Sequence, residues 1–356
     1  MRYLYFILSF AFVLNIYSQN FKYVSVENFE IIGKSSNSGI LFHRVDTLKY
    51  TTLPKEVKEL CTNSAGLAFS FKTNSPIIKV RWNVSNKMDY SNMSLIVQKG
   101  VDLYIKKNNK WVFAGVGKPK GESSDVTVVK NMNNDLKECL LYLPLYDEVK
   151  SMEIGVTKES FICNNNNPFK GKIIVYGSSI TQGASASRPG LAYTSQLSRS
   201  SGWQFINLGF SGSGKMEQSV ARMLADIQNV DAYILDCIPN PSPKEIEERT
   251  VNFISTIRKE HPNVPIIIIQ SIIRESGNFD REVSEYVEKQ NNTIDREISK
   301  LKEAGVKGVY LIKEDNFLGE DHEGCIDGIH PNDLGFSRMI EKYKIHLSKI
   351  LNIDFF

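Results

Sequence analysis

The pattern of apolar and polar positions divides the chain into two parts near residue 165. In the first part, short apolar or alternating runs are separated by turns rich in Asn, Ser, Gly and Lys. Seven of these runs are typical of strands: 66–71, 77–82, 93–98, 103–105, 111–114, 139–143 and 151–154. Many short strands with regular turns between them predict a β-sandwich or jelly roll over residues 19–165.

The pattern changes after the four Asn residues at 164–167, which are typical of a linker. Five apolar runs now suit buried strands: 173–176, 205–208, 232–235, 265–269 and 309–312. They alternate with five helical patterns: 193–200, 216–227, 243–260, 282–304 and 332–350. Continuous apolar strands that alternate with helices predict a parallel sheet covered on both faces, and hence an α/β domain over residues 171–356.

The first 18 residues have the pattern of a signal peptide. Arg2 gives a short positive region, residues 3–14 are apolar, and the small Ser18 precedes a suitable cleavage point. The apolar stretch is too short to cross a bilayer as a mature helix, although an uncleaved membrane anchor is the alternative. We therefore expect an exported protein, periplasmic or extracellular, without stable membrane insertion.

Composition narrows the choice of partners. The chain has 356 residues, of which 42% are hydrophobic and 23% charged, as in a soluble protein of two domains. Its formal net charge is +3 and it has no basic stripe with interleaved aromatic residues, so nucleic acid is not an expected partner.

The five cysteines have no CxxC spacing, which argues against a metal site built from them. One disulfide is possible in an exported protein, and Cys61 and Cys139 fall in the same predicted domain.

Four polar segments of the second part carry candidate chemistry. Three of them follow predicted strands, and the fourth precedes the last predicted helix. In order they are GSSIT (177–181), NLGFSG (207–212), DCIPN (236–240) and DGIHP (327–331). Because the carboxyl ends of parallel strands meet at one edge of a sheet, we expect all four segments to lie together.

These segments supply the residue types that acyl transfer needs. Ser179 is the candidate nucleophile, His330 the base that takes its proton, and Asp327 the carboxylate that orients the imidazole. The backbone N–H groups of Ser179 and Gly212 and the side-chain amide of Asn240 are the candidate donors of an oxyanion hole. This chemistry needs no metal and no other cofactor.

The assignments have competitors in the sequence. Ser178 and Ser185 are the nearest substitutes for the nucleophile, and His322 is the nearest substitute for the base. Arg188, in the loop after the nucleophile, is a candidate either for binding substrate or for a surface ion pair. The His, Cys and Asp residues within 322–330 match no spacing of a hydrolytic zinc site, so we expect no metal there.

The ordered set of segments resembles the SGNH (GDSL-type) hydrolases over about residues 171–351. The family's four signature positions, and the Asp three residues before its histidine, correspond here to Ser179, Gly212, Asn240, His330 and Asp327. One position departs from the family, because Ser178 stands where an Asp usually precedes the nucleophile. The resemblance implies a three-layer α/β/α sandwich around a parallel sheet.

Two segments upstream extend the resemblance. GVDLY (100–104) and LYLPLY (141–146) are similar to a two-domain subgroup in which a β domain precedes the hydrolase domain. Members of that subgroup look like exported carbohydrate esterases, which implies removal of O-acetyl or other short acyl groups from an acetylated poly- or oligosaccharide. Two alternatives stay open: a lipase, thioesterase or peptidase that uses the same triad, and a catalytically inert glycan-binding protein. The β domain itself shows no catalytic candidate.

Overall fold

A computed structural model describes residues 20–36 and 38–356 of the chain. The predicted signal peptide, residues 1–18, lies outside these residues. Within the described chain, antiparallel sheets occupy residues 21–164, and a parallel sheet with helices follows from residue 170. The predicted fold class, an α/β/α domain preceded by a β domain, is confirmed.

Ten strands form two antiparallel sheets in the described part of the β domain. They are β1 (Phe21–Ser25), β2 (Ile31–Ile32), β3 (Ala68–Thr73), β4 (Ile78–Val84), β5 (Val101–Lys107), β6 (Lys110–Gly117), β7 (Ser123–Val129), β8 (Lys137–Tyr142), β9 (Val149–Thr157) and β10 (Ile162–Asn164). One sheet has the order β1-β9-β4-β7, and the other has the order β10-β3-β8-β5-β6 with β2 paired to β3. Two short helices, α1 (Lys55–Cys61) and α2 (Leu95–Lys99), lie between strands.

The two sheets enclose one apolar core. In β4, alternate side chains from Ile78 to Val84 are buried while Arg81 is exposed, because successive residues of a strand point to opposite faces. The buried side chains of both sheets, such as Phe71 and Ile154, pack together between them. This arrangement is the predicted β-sandwich.

The predicted strand at residues 93–98 is wrong, because this segment contains α2. The Ser94 Oγ accepts a hydrogen bond from the Val97 N–H at 3.3 Å and so caps the helix. A short apolar run fits one helical turn as well as it fits a strand, and here the cap favours the helix. The sequence patterns also did not indicate β1, β2, β7, β10 or α1.

The α/β domain contains one parallel sheet of five strands in the order β12-β11-β13-β14-β15. The strands are β11 (Lys170–Gly177), β12 (Trp203–Gly209), β13 (Ala232–Asp236), β14 (Ile266–Ile269) and β15 (Val309–Ile312). The helices are α3 (Ser179–Gln182), α4 (Tyr193–Ser201), α5 (Gln218–Ala225), α6 (Pro243–Glu260), α7 (Arg281–Glu303) and α8 (Asp333–Leu351). All five predicted strands and all five predicted helices of this domain are present.

Helices cover both faces of the parallel sheet. Ile174 and Tyr176 of β11 pack in the core with α5, α6 and α7, whereas Ile173 and Val175 pack in the core with α4 and α8. The sheet is therefore buried on both sides, which explains its continuous apolar strands. Among the helices of the described chain, none combines the length and the hydropathy of a membrane-crossing segment.

A segment between β2 and β3 belongs to the α/β core rather than to the sandwich. Val57 and Cys61 of α1 are fully buried in the core with α5, α6 and α7. Arg44 is also fully buried, and its guanidinium donates a hydrogen bond to the Gly209 carbonyl at the end of β12, at 2.7 Å. Cys139 lies in the sandwich core, so Cys61 and Cys139 occupy different cores, and both are free thiols.

Candidate active site

The candidate nucleophile lies in a tight turn between a strand and a helix. β11 ends at Gly177, Ser178 is the N-cap, and Ser179 is the first residue of α3. The Ser178 Oγ accepts a hydrogen bond from the Ile180 N–H at 3.2 Å, so the residue that replaces the family's usual Asp serves as the helix cap. A Cβ atom at Gly177 would lie 1.9 Å from the Thr181 Oγ1, and only glycine fits there.

The structure brings together the three residues of the predicted triad. The Ser179 Oγ lies 2.9 Å from the His330 Nε2, and the His330 Nδ1 lies 2.8 Å from the Asp327 Oδ2. The imidazole therefore bridges the hydroxyl and the carboxylate. In this arrangement Nε2 can accept the serine proton while the Nδ1–H donates to Asp327, which is the geometry of base-assisted nucleophilic attack.

Its surroundings keep Asp327 ionised. The Oδ1 atom accepts hydrogen bonds from the backbone N–H groups of Ile329 and His330 at 3.0 and 2.8 Å. The Oδ2 atom accepts one from the Asn92 side-chain amide at 2.9 Å. Partial burial acts to raise the pKa of Asp327, but the hydrogen bonds from His330, Asn92 and Ile329 outweigh it and lower this pKa to about 2. Asp327 can therefore stabilise an imidazolium at neutral pH.

The candidate oxyanion donors lie at the ends of three adjacent strands. Because Ser179 begins α3, its N–H has no partner within the helix. Gly212, after β12, has a φ of +68°, and the space beside its Cα is open. The Asn240 Oδ1, after β13, accepts a hydrogen bond from the Gly214 N–H at 3.1 Å. This contact joins the loop of Asn240 to the loop of Gly212.

Buried hydrogen bonds fix these loops in place. The Phe210 N–H donates to the Gly177 carbonyl at 2.9 Å, which connects the Gly212 loop to the nucleophile turn. Gln290 of α7 is fully buried, and its Nε2 donates to the Ile238 and Pro241 carbonyls at 2.9 and 2.7 Å. These two residues lie on either side of Asn240 in the sequence. The loops that carry the candidate donors are therefore held in place by the protein itself, as oxyanion stabilisation would require.

The competing residues make other contacts. The Ser185 Oγ donates to the Asn92 carbonyl at 2.9 Å. The His322 side chain is 56% exposed, and its Nδ1 lies 2.9 Å from a carboxylate oxygen of Glu275. Within residues 20–36 and 38–356, no group of three or more His, Cys, Asp or Glu side chains is arranged to hold a metal ion.

Arg188 contacts the β domain in the structure. Its guanidinium lies 2.6 Å from the Asp102 Oδ2, donates to the Tyr104 hydroxyl, and stacks at 3.9 Å over the ring of Phe113. Asp102 also accepts a hydrogen bond from the Gly190 N–H at 3.2 Å. Two residues of the GVDLY motif, Asp102 and Tyr104, thus bind the loop that follows the nucleophile. A substrate contact by Arg188 stays a prediction.

Asn92 is a site residue that the sequence patterns did not indicate. It precedes α2 in the β domain, where no catalytic candidate was expected, yet its side-chain amide contacts Asp327 and lies 3.3 Å from the His330 Nδ1. A single polar residue in a polar loop carries no periodicity or motif that would mark it. The β domain therefore contributes directly to the site.

An α/β/α fold with a Ser-His-Asp arrangement at the carboxyl ends of its strands defines a hydrolase of the SGNH type. The GDSL-like lipase/acylhydrolase family matches residues 170–348, and the chain belongs to this family. Residues 21–162 match the GxDLY family, which is the N-terminus of esterases of the SGNH-hydrolase type. No curated protein sequence matches the chain significantly.

Solved structures share the two-domain architecture. A protein from Bacteroides ovatus ATCC 8483, described as a GDSL-like lipase, is 59% identical, with a TM-score of 0.94 over 94% of this chain and 99% of its own. A salicylyl-acyltransferase from a tetracycline biosynthetic pathway is 18% identical, with a TM-score of 0.74 over 93% of this chain and 97% of its own. A family two carbohydrate esterase from Cellvibrio japonicus is 12% identical, with a TM-score of 0.61 over 94% and 98%. The last two show a shared fold.

Proposed function

We propose that the protein is an exported serine esterase that removes O-acetyl groups from a poly- or oligosaccharide. The observation that carries the proposal is the continuous hydrogen-bonded chain from Ser179 through His330 to Asp327. Membership of a family of acyl hydrolases supports the ester as the bond that is broken. The signal-peptide pattern at residues 1–18 supports export.

In the proposed acylation step, the His330 Nε2 takes the proton of Ser179 as the Oγ attacks the acetyl carbonyl carbon. The negative charge that develops on the carbonyl oxygen is stabilised by the N–H groups of Ser179 and Gly212 and by the amide of Asn240. The tetrahedral intermediate then collapses, and His330 donates its proton to the departing sugar hydroxyl. Asp327 remains ionised throughout because its pKa is low.

In the deacylation step, water replaces the sugar. His330 takes a proton from the water, which attacks the acetyl-serine carbonyl, and the same donors stabilise the second oxyanion. Acetate leaves, and the proton returns from His330 to the Ser179 Oγ. The cycle uses only side chains and backbone groups of this chain.

A carbohydrate is favoured as the alcohol by an exposed aromatic residue two positions before Asn92. The ring of Tyr90 is 42% exposed and packs edge-on against Tyr146, with 5.3 Å between ring centroids. The Tyr146 hydroxyl in turn donates to the Ser179 carbonyl at 3.4 Å. An exposed, rigidly backed aromatic ring offers a flat apolar face with a polar tip, which suits a sugar ring. The shared fold of the Cellvibrio japonicus carbohydrate esterase is consistent with this choice.

The first test is release of p-nitrophenol from its acetate ester, in the presence of EDTA. We expect Ser179→Ala and His330→Ala each to lower kcat by about 10⁴-fold or more, since each removes a group that acts in the chemical step. His322→Ala, a second histidine near the catalytic loop, is the matched control and should keep wild-type activity. Wild-type kcat in Ser179→Ala would disprove the serine mechanism.

A second measurement addresses the substrate. We expect the protein to release acetate from acetylated oligosaccharides. On chromogenic esters, we expect kcat/KM to fall steeply as the acyl chain lengthens from two to eight carbons. Preference for the longer chains would instead identify a lipase or thioesterase. Glycan binding by a wild type that cleaves no ester would identify an inert binding protein.

A further inference from the structure

The loop at residues 85–94, which we call the Asn92 loop, reaches from the β domain to the catalytic residues. The Asn92 Nδ2 donates a hydrogen bond to the Asp327 Oδ2 at 2.9 Å. The same nitrogen lies 3.3 Å from the His330 Nδ1. The carboxylate oxygen that receives the imidazole Nδ1–H therefore receives a second donor from the other domain.

The Asn92 loop is held in shape from within the β domain. The side chain of Gln98 is buried, and its Oε1 accepts a hydrogen bond from the Tyr90 N–H at 2.8 Å. Its Nε2 donates to the Met93 carbonyl at 2.9 Å. One buried amide thus binds the backbone on both sides of Asn92.

The loop is also fastened to the α/β domain. The Ser185 Oγ donates to the Asn92 carbonyl at 2.9 Å, and the Ser94 Oγ donates to the Ser187 carbonyl at 3.1 Å. Both partners in the α/β domain lie in the loop that follows the nucleophile helix. The position of Asn92 is therefore fixed relative to Ser179 as well as to His330.

We propose that Asn92 is a positioning residue of the catalytic triad, so that the β domain completes the active site. The inference rests on the proposed esterase function. Two backbone N–H groups hold the Oδ1 atom of Asp327, and the N–H of Asn92 adds a donor to Oδ2, the oxygen that faces the imidazole, in a carboxylate that is 31% exposed. The imidazole is then presented to Ser179 in one orientation.

Other charged groups on the segments packed beside His330 have their own partners. The pairs are Asp89 with Lys99, Asp333 with Ser187, and Glu275 with His322, while Arg274 donates to the Pro239 carbonyl. Asp327 is therefore the carboxylate through which Asn92 acts. A second carboxylate placed at position 92 would face the imidazole directly and stabilise its protonated form.

The test compares Asn92→Ala and Asn92→Asp with wild type on the acetyl ester. We expect Asn92→Ala to lower kcat about tenfold with KM unchanged within about twofold, since an interaction that orients the base acts in the transition state. In Asn92→Asp, the acidic limb of the kcat profile should also move up by about one pH unit, because the new negative charge favours the imidazolium. Ser91→Ala, an exposed neighbour in the same loop, is the matched control and should behave as wild type.

A measurement independent of turnover separates this proposal from the proposed function. NMR titration of the His330 ring, assigned with His330→Ala, should show the same upward move in Asn92→Asp even if the wild type cleaves none of the esters tried. Thermal unfolding of each variant checks the fold. Wild-type kcat in Asn92→Ala, a raised KM at constant kcat, or an unmoved titration in Asn92→Asp would each overturn the proposal.

Discussion

The side-chain amide of Asn240 has a set orientation because its oxygen is already used. The Oδ1 atom accepts the Gly214 N–H at 3.1 Å. A Cβ atom at Gly214 would lie 2.3 Å from the Gly177 carbonyl oxygen, so this loop is packed tightly against the nucleophile turn. The amide N–H groups are thereby left as the donors of this side chain, which is what the proposed oxyanion role requires.

We predict that Asn240→Ala lowers kcat by about 10²–10³-fold with a small change in KM, as for the loss of one oxyanion donor. Asn240→Asp keeps the acceptor for Gly214 but has no N–H, so it should lose as much activity as the alanine variant. Steady-state kinetics on the acetyl ester measure both, with the exposed Asn252→Ala on α6 as the control. An Asn240→Asp variant with wild-type kcat would contradict the assignment.

At the scale of elements, the carboxyl of Asp236 joins a strand to two helices. It lies at the end of β13, fully buried, and accepts hydrogen bonds from the Thr181 hydroxyl of α3 at 2.9 Å and from the Tyr193 hydroxyl of α4 at 2.7 Å. Burial raises the pKa of Asp236 to about 6, although the two hydroxyl donors act to lower it. The packing of the nucleophile helix thus depends on a group that titrates near physiological pH.

This raised pKa predicts a pH-dependent stability. Between about pH 4, where the unfolded carboxyl loses its proton, and about pH 6, the folded protein binds more protons, so stability falls as pH rises. Relative to Asp236→Asn, the wild type should lose roughly 3 kcal/mol of unfolding free energy from pH 4 to pH 7, at about 1.4 kcal/mol per pKa unit. Urea denaturation at several pH values measures this difference. A difference that stays constant with pH would refute the prediction.

The sequence predicted those helices and strands whose spacing of apolar residues is clear within the segment itself. The helices α4 to α8 carry apolar positions at helical spacing over two or more turns, and the parallel strands are continuous apolar runs, so the sequence predicted both. β7, with the sequence SSDVTVV, fully buries only Ser124 and Val128, and it is a strand because it pairs with β4. Short elements of this kind depend on partners that are distant in sequence.

The same distinction applies to the site. Ser179, Asp327 and His330 lie in short segments that follow a strand or precede a helix. A serine, a histidine and a carboxylate in such positions indicate nucleophilic catalysis. Asn92 is separated from Asp327 by 235 positions, and nothing in the local sequence connects them. A residue of one domain that contacts the catalytic residues of another can be identified only from the folded structure.

For the whole molecule, the ion pair of Asp102 and Arg188 is one of the contacts that join the two domains. The Asp102 side chain is fully buried, the Arg188 side chain keeps 19% of its exposure, and their charged groups are 2.6 Å apart. Gly190 adds a backbone donor to the same carboxylate. Removal of one charge from such a pair leaves the other without compensation in a place that water barely reaches.

We predict that Asp102→Asn lowers the free energy of unfolding by about 2–4 kcal/mol, toward the lower end because Arg188 is partly exposed. Replacing both residues, Asp102→Asn with Arg188→Met, should recover part of the loss because the charge of Arg188 is removed together with that of Asp102. Urea denaturation measures the changes. Glu248→Gln, which breaks the exposed Lys244–Glu248 pair, is the control and should cost less than about 0.5 kcal/mol. A loss in Asp102→Asn as small as that of the control would argue against the contact.

The segment that holds Arg44 and α1 makes the α/β half of the chain dependent on residues encoded before the linker. In sequence order it belongs to the β domain, yet Val57 and Cys61 fill the α/β core and Arg44 binds the end of β12. A recombination event that cut the gene once, at the Asn-rich linker, would leave that core open. The α/β half therefore needs side chains that precede the linker, and we expect it to fold poorly when it is joined to the β half of an unrelated protein.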